Sequence, residues 1–170
     1  MLRIASQVLR TGQISYPRRR VGVVYDRRTF DVNMPASDKV DFWQVDASAL
    51  PFPDKPFSLM TSIHLLDCLP SPVGHLQSLE ALVQTGGAVI LASPFDWSPG
   101  ATAIEGWIGG HGQRNEEAGS SEVWVRRLLE GGGSLPGLGW RIESETDVSW
   151  TVRIHSRSRV EYVSRLMILK

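Results

Sequence analysis

The chain is poor in cysteine, in long apolar runs and in net charge. Cys68 is the only cysteine among 170 residues, so no disulfide can form within the chain, and the reducing cytoplasm is the expected compartment. No apolar run reaches the roughly 18–20 residues of a membrane-spanning helix, and a membrane is not expected as a partner. The four His residues lack the spacing of metal ligands, and no metal site is expected.

The net charge of zero conceals two basic ends. Residues 1–30 carry +6 and residues 151–170 carry +4, against −10 for the remainder. Such ends either bind nucleic acid as arms or dock against the acidic middle. The second interpretation is favoured because no aromatic-interleaved RNA-binding motif accompanies the Arg residues, and nucleic acid is not expected as a partner.

Hydrophobic periodicity predicts an α/β fold over residues 1–170 as a single domain. The predicted helices cover 1–11, 71–83 and 122–129, and the predicted strands cover 40–45, 57–63, 88–92, 140–148 and 160–169. Strand 57–63 is apolar on both faces, which is typical of a central strand. Residues 13–36 are expected to be irregular, 93–120 to form a long loop, and 150–155 to connect a final antiparallel strand pair.

Asp46 is the first candidate functional residue, since it ends the predicted strand 40–45. Ligands of open α/β sheets lie beyond the carboxyl ends of the strands. The carboxylate would accept a hydrogen bond from an adenine amino group, with the Ala47 N–H donating beside it. The alternative, equally weighted, is that Asp46 caps a loop.

The same segment resembles the class I S-adenosylmethionine-dependent methyltransferases of type 11. Their pattern is an Asp-Ala ending the third strand, a Leu-Pro-Phe after it and a Gly-Gly before the fifth strand, here Asp46-Ala47, Leu50-Pro51-Phe52 and Gly86-Gly87. Shorter motifs at 12–16, 66–69, 93–97 and 107–110 are similar to the mercaptohistidine N-methyltransferase domain of ovothiol biosynthesis.

The resemblance implies a cofactor, an acceptor and residues for each. The cofactor is S-adenosylmethionine, held by Asp46, Ala47, Ser62 and His64. The acceptor is a small molecule on the side of the loop 93–120, met by Asp96, Trp97, Trp107 and Arg153. No catalytic base is assigned.

Two family features are missing from the sequence. The family has a glycine-rich loop after its first strand and an acidic residue ending its second, and neither is present here. The resemblance therefore implies an N-terminally truncated, partial Rossmann-like sheet that lacks the first two strands. Such a sheet exposes an apolar edge, which invites a homodimer or a partner that supplies the missing half.

The expected function is methyl transfer from S-adenosylmethionine to a small nucleophile such as an imidazole nitrogen. The alternative is a catalytically inactive remnant or half-domain that binds a partner. Individual residues also keep two interpretations: His64 contacts the cofactor or is a plain loop residue, and Trp97 and Trp107 stack on the acceptor or pin their loop. Asp67 and Cys68 are either a reactive pair or, as favoured, a helix-start Asp beside a buried Cys.

Overall fold

A computed structural model describes residues 2–53, 56–114, 119–132 and 135–170. Residues 54–55 of the family-like segment and 115–118 of the long loop lie outside this part of the chain. The helices are α1 (Leu2–Thr11), α2 (Pro72–Leu82) and α3 (Ser121–Glu130); the strands are β1 (Gln13–Val21), β2 (Val24–Asp31), β3 (Phe57–Ile63), β4 (Val83–Ser93), β5 (Ile142–His155) and β6 (Ser158–Leu169). No described helix is long and apolar enough to cross a membrane.

The strands form two separate sheets. β1 and β2 make an antiparallel ribbon, and the other four make a mixed sheet in the order β3-β4-β6-β5. β3 runs parallel to β4, whereas β6 runs antiparallel to β4, with Ser93 opposite Arg165. The α/β prediction and the carboxyl-terminal strand pair are confirmed, and the lack of the first two family strands stays a prediction.

The chain divides into two compact units. The first comprises residues 1–45 and 151–161 and carries the ribbon; the second comprises 46–150 and 162–170. The prediction of one domain over 1–170 stays a prediction. The second unit holds the main core, in which Leu66, Leu76 and Leu129 are fully buried beside strands β4 and β6.

Several predicted elements are confirmed. α1 ends where predicted, because Gly12 takes φ 63° and its N–H donates to Val8 O at 2.9 Å. β3 has the predicted bounds, and α2, β4 and α3 lie where the periodicity placed them. β4 bulges at its amino end, where a Cβ on Gly87 would lie 2.8 Å from Ser58 O, so glycine is required there.

Four predictions of secondary structure are wrong. Residues 40–45 form no strand, and no described strand pairs with them. Residues 13–36 contain the β1–β2 ribbon instead of irregular chain, and 150–155 continue β5 instead of connecting it. β3 is an edge strand rather than a central one, which leaves Leu59 and Ile63 each 54% exposed.

Candidate functional site

A cleft of about 170 Å³ lies at the carboxyl ends of the parallel strands β3 and β4. His64 follows β3, and Pro94 and Asp96 follow β4. The other lining residues are Asp67, Cys68, Trp150 and Tyr162. Because ligands of α/β sheets bind outside the carboxyl ends of strands, this cleft is the candidate site.

Three aromatic rings stack along one wall of the cleft. His64 stacks on Trp150 at 4.2 Å between ring centroids, and Trp150 stacks on Tyr162 at 4.7 Å. Trp150 Nε1 donates to Ser164 Oγ at 2.8 Å, and this oxygen lies 2.9 Å from His64 Nε2. All three groups are satisfied when the Ser164 hydroxyl donates to Nε2, which leaves the proton of neutral His64 on Nδ1.

The backbone of His64 is held in an uncommon conformation. Its φ is 52°, in the left-handed region that non-glycine residues seldom adopt. The ring stack, the hydroxyl contact and an N–H bond to Ala92 O at 2.8 Å together hold it there. Backbone strain of this kind clusters at functional sites. The structure therefore holds the His64 ring in a fixed position at the cleft, and its role toward a ligand stays a prediction.

Two carboxylates face the ring stack across the cleft. Asp67 is only 3% exposed, and its Oδ2 accepts the Asp96 N–H at 2.8 Å. Its Oδ1 is buried and has no hydrogen-bond partner among the described residues. Asp96 itself is exposed. Asp67 is thus no helix cap: it positions the chain after β4 and keeps one oxygen without a protein donor.

The pKa of the sole cysteine, Cys68, reflects the electrostatic potential of the cleft. Burial raises the pKa of the Cys68 thiol, and the carboxylates of Asp67 and Asp96 raise it further. The thiol is therefore protonated at neutral pH and is no activated nucleophile. Cys68 is exposed, so the expectation of a buried cysteine is wrong. The negative potential that disfavours a thiolate favours a cationic ligand.

The predicted adenine-binding pair lies on an exposed turn. Asp46 Oδ1 accepts the Ser48 N–H at 2.8 Å, which is the loop-capping geometry of the alternative interpretation. The Ala47 carbonyl lies 3.4 Å from His75 Nδ1, and His75 Nε2 lies 2.8 Å from Ser62 Oγ. This chain of contacts brings Ala47 to the carboxyl half of β3. Because His75 and Ser62 are each 3% exposed, the Ser62 hydroxyl is used inside the core.

The tryptophans of the long loop hold the loop together. Their rings stack at 6.3 Å, Trp97 Nε1 donates to Ser121 Oγ at 2.9 Å, and Trp107 Nε1 donates to Thr102 O at 2.9 Å. Gly110 takes φ 73°, and a Cβ there would lie 2.8 Å from Trp97 Cδ1. The Trp-Ile-Gly-Gly motif therefore has a packing reason, and the loop-pinning interpretation accounts for both indole N–H groups.

Two other predicted features lie elsewhere. Trp107 lines a second, mostly apolar cleft of about 480 Å³ with Val73, Trp124 and Leu128. This larger cleft lies beside α3 and is not lined by the strand ends, so it is not the candidate site. Arg153 belongs to the first unit and does not line the carboxyl-edge cleft.

The sequence analysis assigned no ligand contact to three residues that line the candidate site: Asp67, Trp150 and Tyr162. Trp150 was expected in a connector, and Tyr162 in a strand without assigned function. The aromatic pair is separated from His64 by about a hundred residues, as the His64–Ser164 contact shows, and local patterns carry no information over that distance. The one available signal was Asp67 itself, within the Leu-Asp-Cys-Leu motif.

Comparison with known proteins gives a match to one part of the chain. Residues 20–91, from the end of β1 to β4, match the family model of a methyltransferase domain. The match supports a class I S-adenosylmethionine-dependent methyltransferase, and the prediction of that enzyme class is confirmed. It includes β3, the turn with Asp67 and α2, but not Trp150 or Tyr162. None of the curated proteins compared with the chain matches it.

Proposed function

We propose that the chain transfers the methyl group of S-adenosylmethionine to a nitrogen of a small acceptor at the cleft beyond β3 and β4. The observation that carries the proposal is the cleft itself, which joins an aromatic wall to two carboxylates at the ligand-binding edge of a methyltransferase-type sheet. Methyl transfer asks the protein mainly to align two reactants. A rigid wall and fixed charges are suited to that task.

The charge of the cleft matches the charge of both reactants. The sulfonium of the methyl donor is a cation, and amine or imidazole acceptors arrive partly protonated. Asp67 and Asp96 supply the negative potential, and the ring of Tyr162, at the end of the stack, attracts cations through its quadrupole. Asp96 is exposed and lines the cleft. Its carboxylate is therefore the group that takes up an acceptor proton.

The described residues fit the methyl-bearing end of the donor better than its nucleoside. When bound, S-adenosylmethionine supplies a methyl group already activated by the sulfonium. His64 and the two carboxylates would hold that end, and the Ala47 N–H would face adenine. The cleft volume of about 170 Å³ is below the roughly 300–1,000 Å³ of pockets that enclose a whole ligand. The family's glycine-rich loop has no counterpart in the sequence.

The second candidate function is therefore that of a half-domain in an assembly, in which a partner completes the nucleoside site. The exposed edge of β3 supports it, because no described strand pairs with its outer side and Leu59 and Ile63 are 54% exposed. Unpaired apolar edges template pairing with another chain. The occupant would be a second copy or a chain that supplies parallel strands.

We further propose a mercaptohistidine-like imidazole as the acceptor and the cytoplasm as the compartment. The acceptor rests on the sequence likeness at 66–69 and 93–97, two segments that the structure brings together through the bond from the Asp96 N–H to Asp67. A flat imidazolium also suits a wall of stacked rings. The compartment rests on the single, unpaired cysteine.

Titration calorimetry of the full chain with S-adenosylhomocysteine tests the proposed function. We expect measurable heat below millimolar ligand, and labelled methyl transfer to histidine or mercaptohistidine. Asp96→Asn should reduce the transfer rate about 10²-fold while leaving binding of S-adenosylhomocysteine, which carries no sulfonium, nearly unchanged. Absence of heat at millimolar ligand rejects autonomous catalysis. A gain of binding only in the presence of a co-purifying chain supports the half-domain instead.

A further inference from the structure

The basic residues of both chain ends gather in the first unit. Residues 1–45 and 151–161 contain eleven Lys and Arg against five Asp and Glu, a net charge of +6. The Ser156 N–H donates to Arg20 O at 3.0 Å, which fixes the β5–β6 turn to the outer edge of β1. Arg153 is thereby held beside the Arg residues of the ribbon.

A cleft of about 500 Å³ forms at this edge. Its lining residues are Tyr16, Pro17, Arg18, Arg19, Tyr25, Arg153 and Ile154. Three guanidinium groups line it and no carboxylate does, among the residues that the structure describes. The volume lies within the roughly 300–1,000 Å³ of ligand pockets.

The charge of this cleft is not neutralised by the protein. Asp26 lies 3.7 Å from Arg18, 3.7 Å from Arg20 and 3.9 Å from Arg28, so one carboxylate is shared by three cations. Arg19 Nε donates to Gly22 O at 2.6 Å, and neither Arg19 nor Arg153 has a carboxylate partner in the described part of the chain. Arg18 Nε is buried without an acceptor. These Arg donors, which lack carboxylate partners or acceptors in the described part of the chain, favour an anionic ligand.

Two tyrosines give the cleft flat apolar surfaces beside the donors. Tyr25 is 54% exposed and Tyr16 is 39% exposed. The register pairs Arg19 with Tyr25 on one face of the ribbon and Tyr16 with Arg28 on the other, so that each face sets a ring beside a guanidinium group. Phosphates and stacked bases are the ligands for which such a pairing of ring and cation is suited.

We propose that the basic cleft binds single-stranded nucleic acid, with Arg18, Arg19 and Arg153 on the phosphates and Tyr25 stacked on a base. This binding is independent of methyl transfer, because no residue lines both clefts. A ribbon with few buried side chains reads no base edges, so recognition is through backbone charge and stacking and shows little sequence preference.

Fluorescence anisotropy of the full chain with a labelled ten-nucleotide RNA, measured across a salt series, tests the proposal. For single strands the logarithm of affinity falls with a slope of about 0.7 per phosphate contact. We expect the double variant Arg19→Ala/Arg153→Ala to lower that slope by about 1.4, and Arg19→Lys/Arg153→Lys to preserve it. Tyr25→Ala should weaken binding about ten-fold, whereas Tyr25→Phe keeps the stacking face.

The control double variant is Arg3→Ala/Arg10→Ala, which removes the same charge from exposed positions on α1 of the same unit. Equal losses in the two double variants overturn the proposal, because attraction would then be spread over the unit. Three other results also overturn the proposal: equal binding of a mononucleotide and the RNA, tighter binding of anionic lipid vesicles, and competition by polyglutamate at matched charge. Circular dichroism shows whether each variant is folded, and the comparison of Tyr25→Ala with Tyr25→Phe tests the site if the Arg-to-Ala variant unfolds.

Discussion

Replacing Asp67 with Asn is expected to stabilise the protein while impairing its function. Asp67 is 3% exposed, its Oδ2 accepts the Asp96 N–H, and its Oδ1 has no partner in the described part of the chain. A buried acceptor left unsatisfied costs about 1–3 kcal/mol, and more when it carries charge. Asn keeps an oxygen for the Asp96 N–H and removes the buried carboxylate beside that of Asp96.

The expected gain is about 1 kcal/mol in the free energy of unfolding, measured by urea denaturation. For a chain of this length, this corresponds to a rise in Tm of about 2–4 °C. Methyl transfer should fall in the same variant, since the cleft loses half of its carboxylates. Sites that trade stability for activity behave in this way.

A second measurement on the same variant uses Cys68. Since the carboxylate of Asp67 contributes to the raised pKa of the Cys68 thiol, Asp67→Asn should lower that pKa and speed alkylation at pH 8. The control for stability is Asp96→Asn, which is exposed and should change the free energy of unfolding by less than about 0.5 kcal/mol. Because the Asp96 carboxylate also raises the pKa of Cys68, this variant is not a control for alkylation. A loss of more than about 1 kcal/mol in Asp67→Asn would show that the carboxylate serves the fold, and the reasoning would be refuted.

Three further predictions concern the second unit. Leu129 is fully buried, so Leu129→Ala should cost about 3 kcal/mol in urea denaturation, and a cost below 1 kcal/mol would contradict this core. Burial lowers the pKa of His75 from 6.5, so protonation of the unfolded chain favours unfolding as the pH falls below that value. His75→Gln should therefore flatten the fall in Tm between about pH 7 and 5.5. An unchanged pH profile of Tm would contradict this role of His75. Gly110→Ala should lower Tm and shift tryptophan emission, because its Cβ would meet Trp97; unaltered melting would exclude that contact.

Helices and strands could be predicted from the sequence where burial creates a periodic pattern of apolar residues. β3, α2, β4 and α3 pack on one core, and each carries the apolar period of its own geometry. The ribbon was missed because its stability comes from cross-strand pairs such as Tyr16 with Phe30, stacked at 6.2 Å, and not from a buried face. Pro17 and three consecutive Arg residues hide the alternation of β1.

Residues 40–45 show the opposite error. Their composition favours a strand, but a strand needs a neighbour with free N–H and C=O groups. No described strand pairs with residues 40–45, and Phe42 and Trp43 are 38% and 60% exposed. A pattern predicts the propensity of a segment, whereas its pairing depends on the rest of the sheet. The adenine-binding role of Asp46 relied on that strand and stays a prediction.

The positions of His64 and Asp96 after two strands could be read from the chain order, whereas their ligand roles were implied by the family resemblance. Both residues line one cleft, and those roles stay predictions. Trp150 and Tyr162 could not be found, since only the register of the final hairpin brings them to His64.

The division of charge makes the two proposals separable. The first unit carries +6, and because the whole chain is neutral, residues 46–150 and 162–170 carry −6. A cationic methyl donor and a polyanionic strand therefore favour different units, and both interactions weaken with salt. Salt alone cannot tell them apart, but substitution can. Asp96→Asn should leave RNA affinity unchanged, and Arg19→Ala/Arg153→Ala should leave binding of S-adenosylhomocysteine unchanged, since effects at sites without shared residues add. If either variant altered both activities, the clefts would belong to one continuous site and the two functions would have to be argued as one.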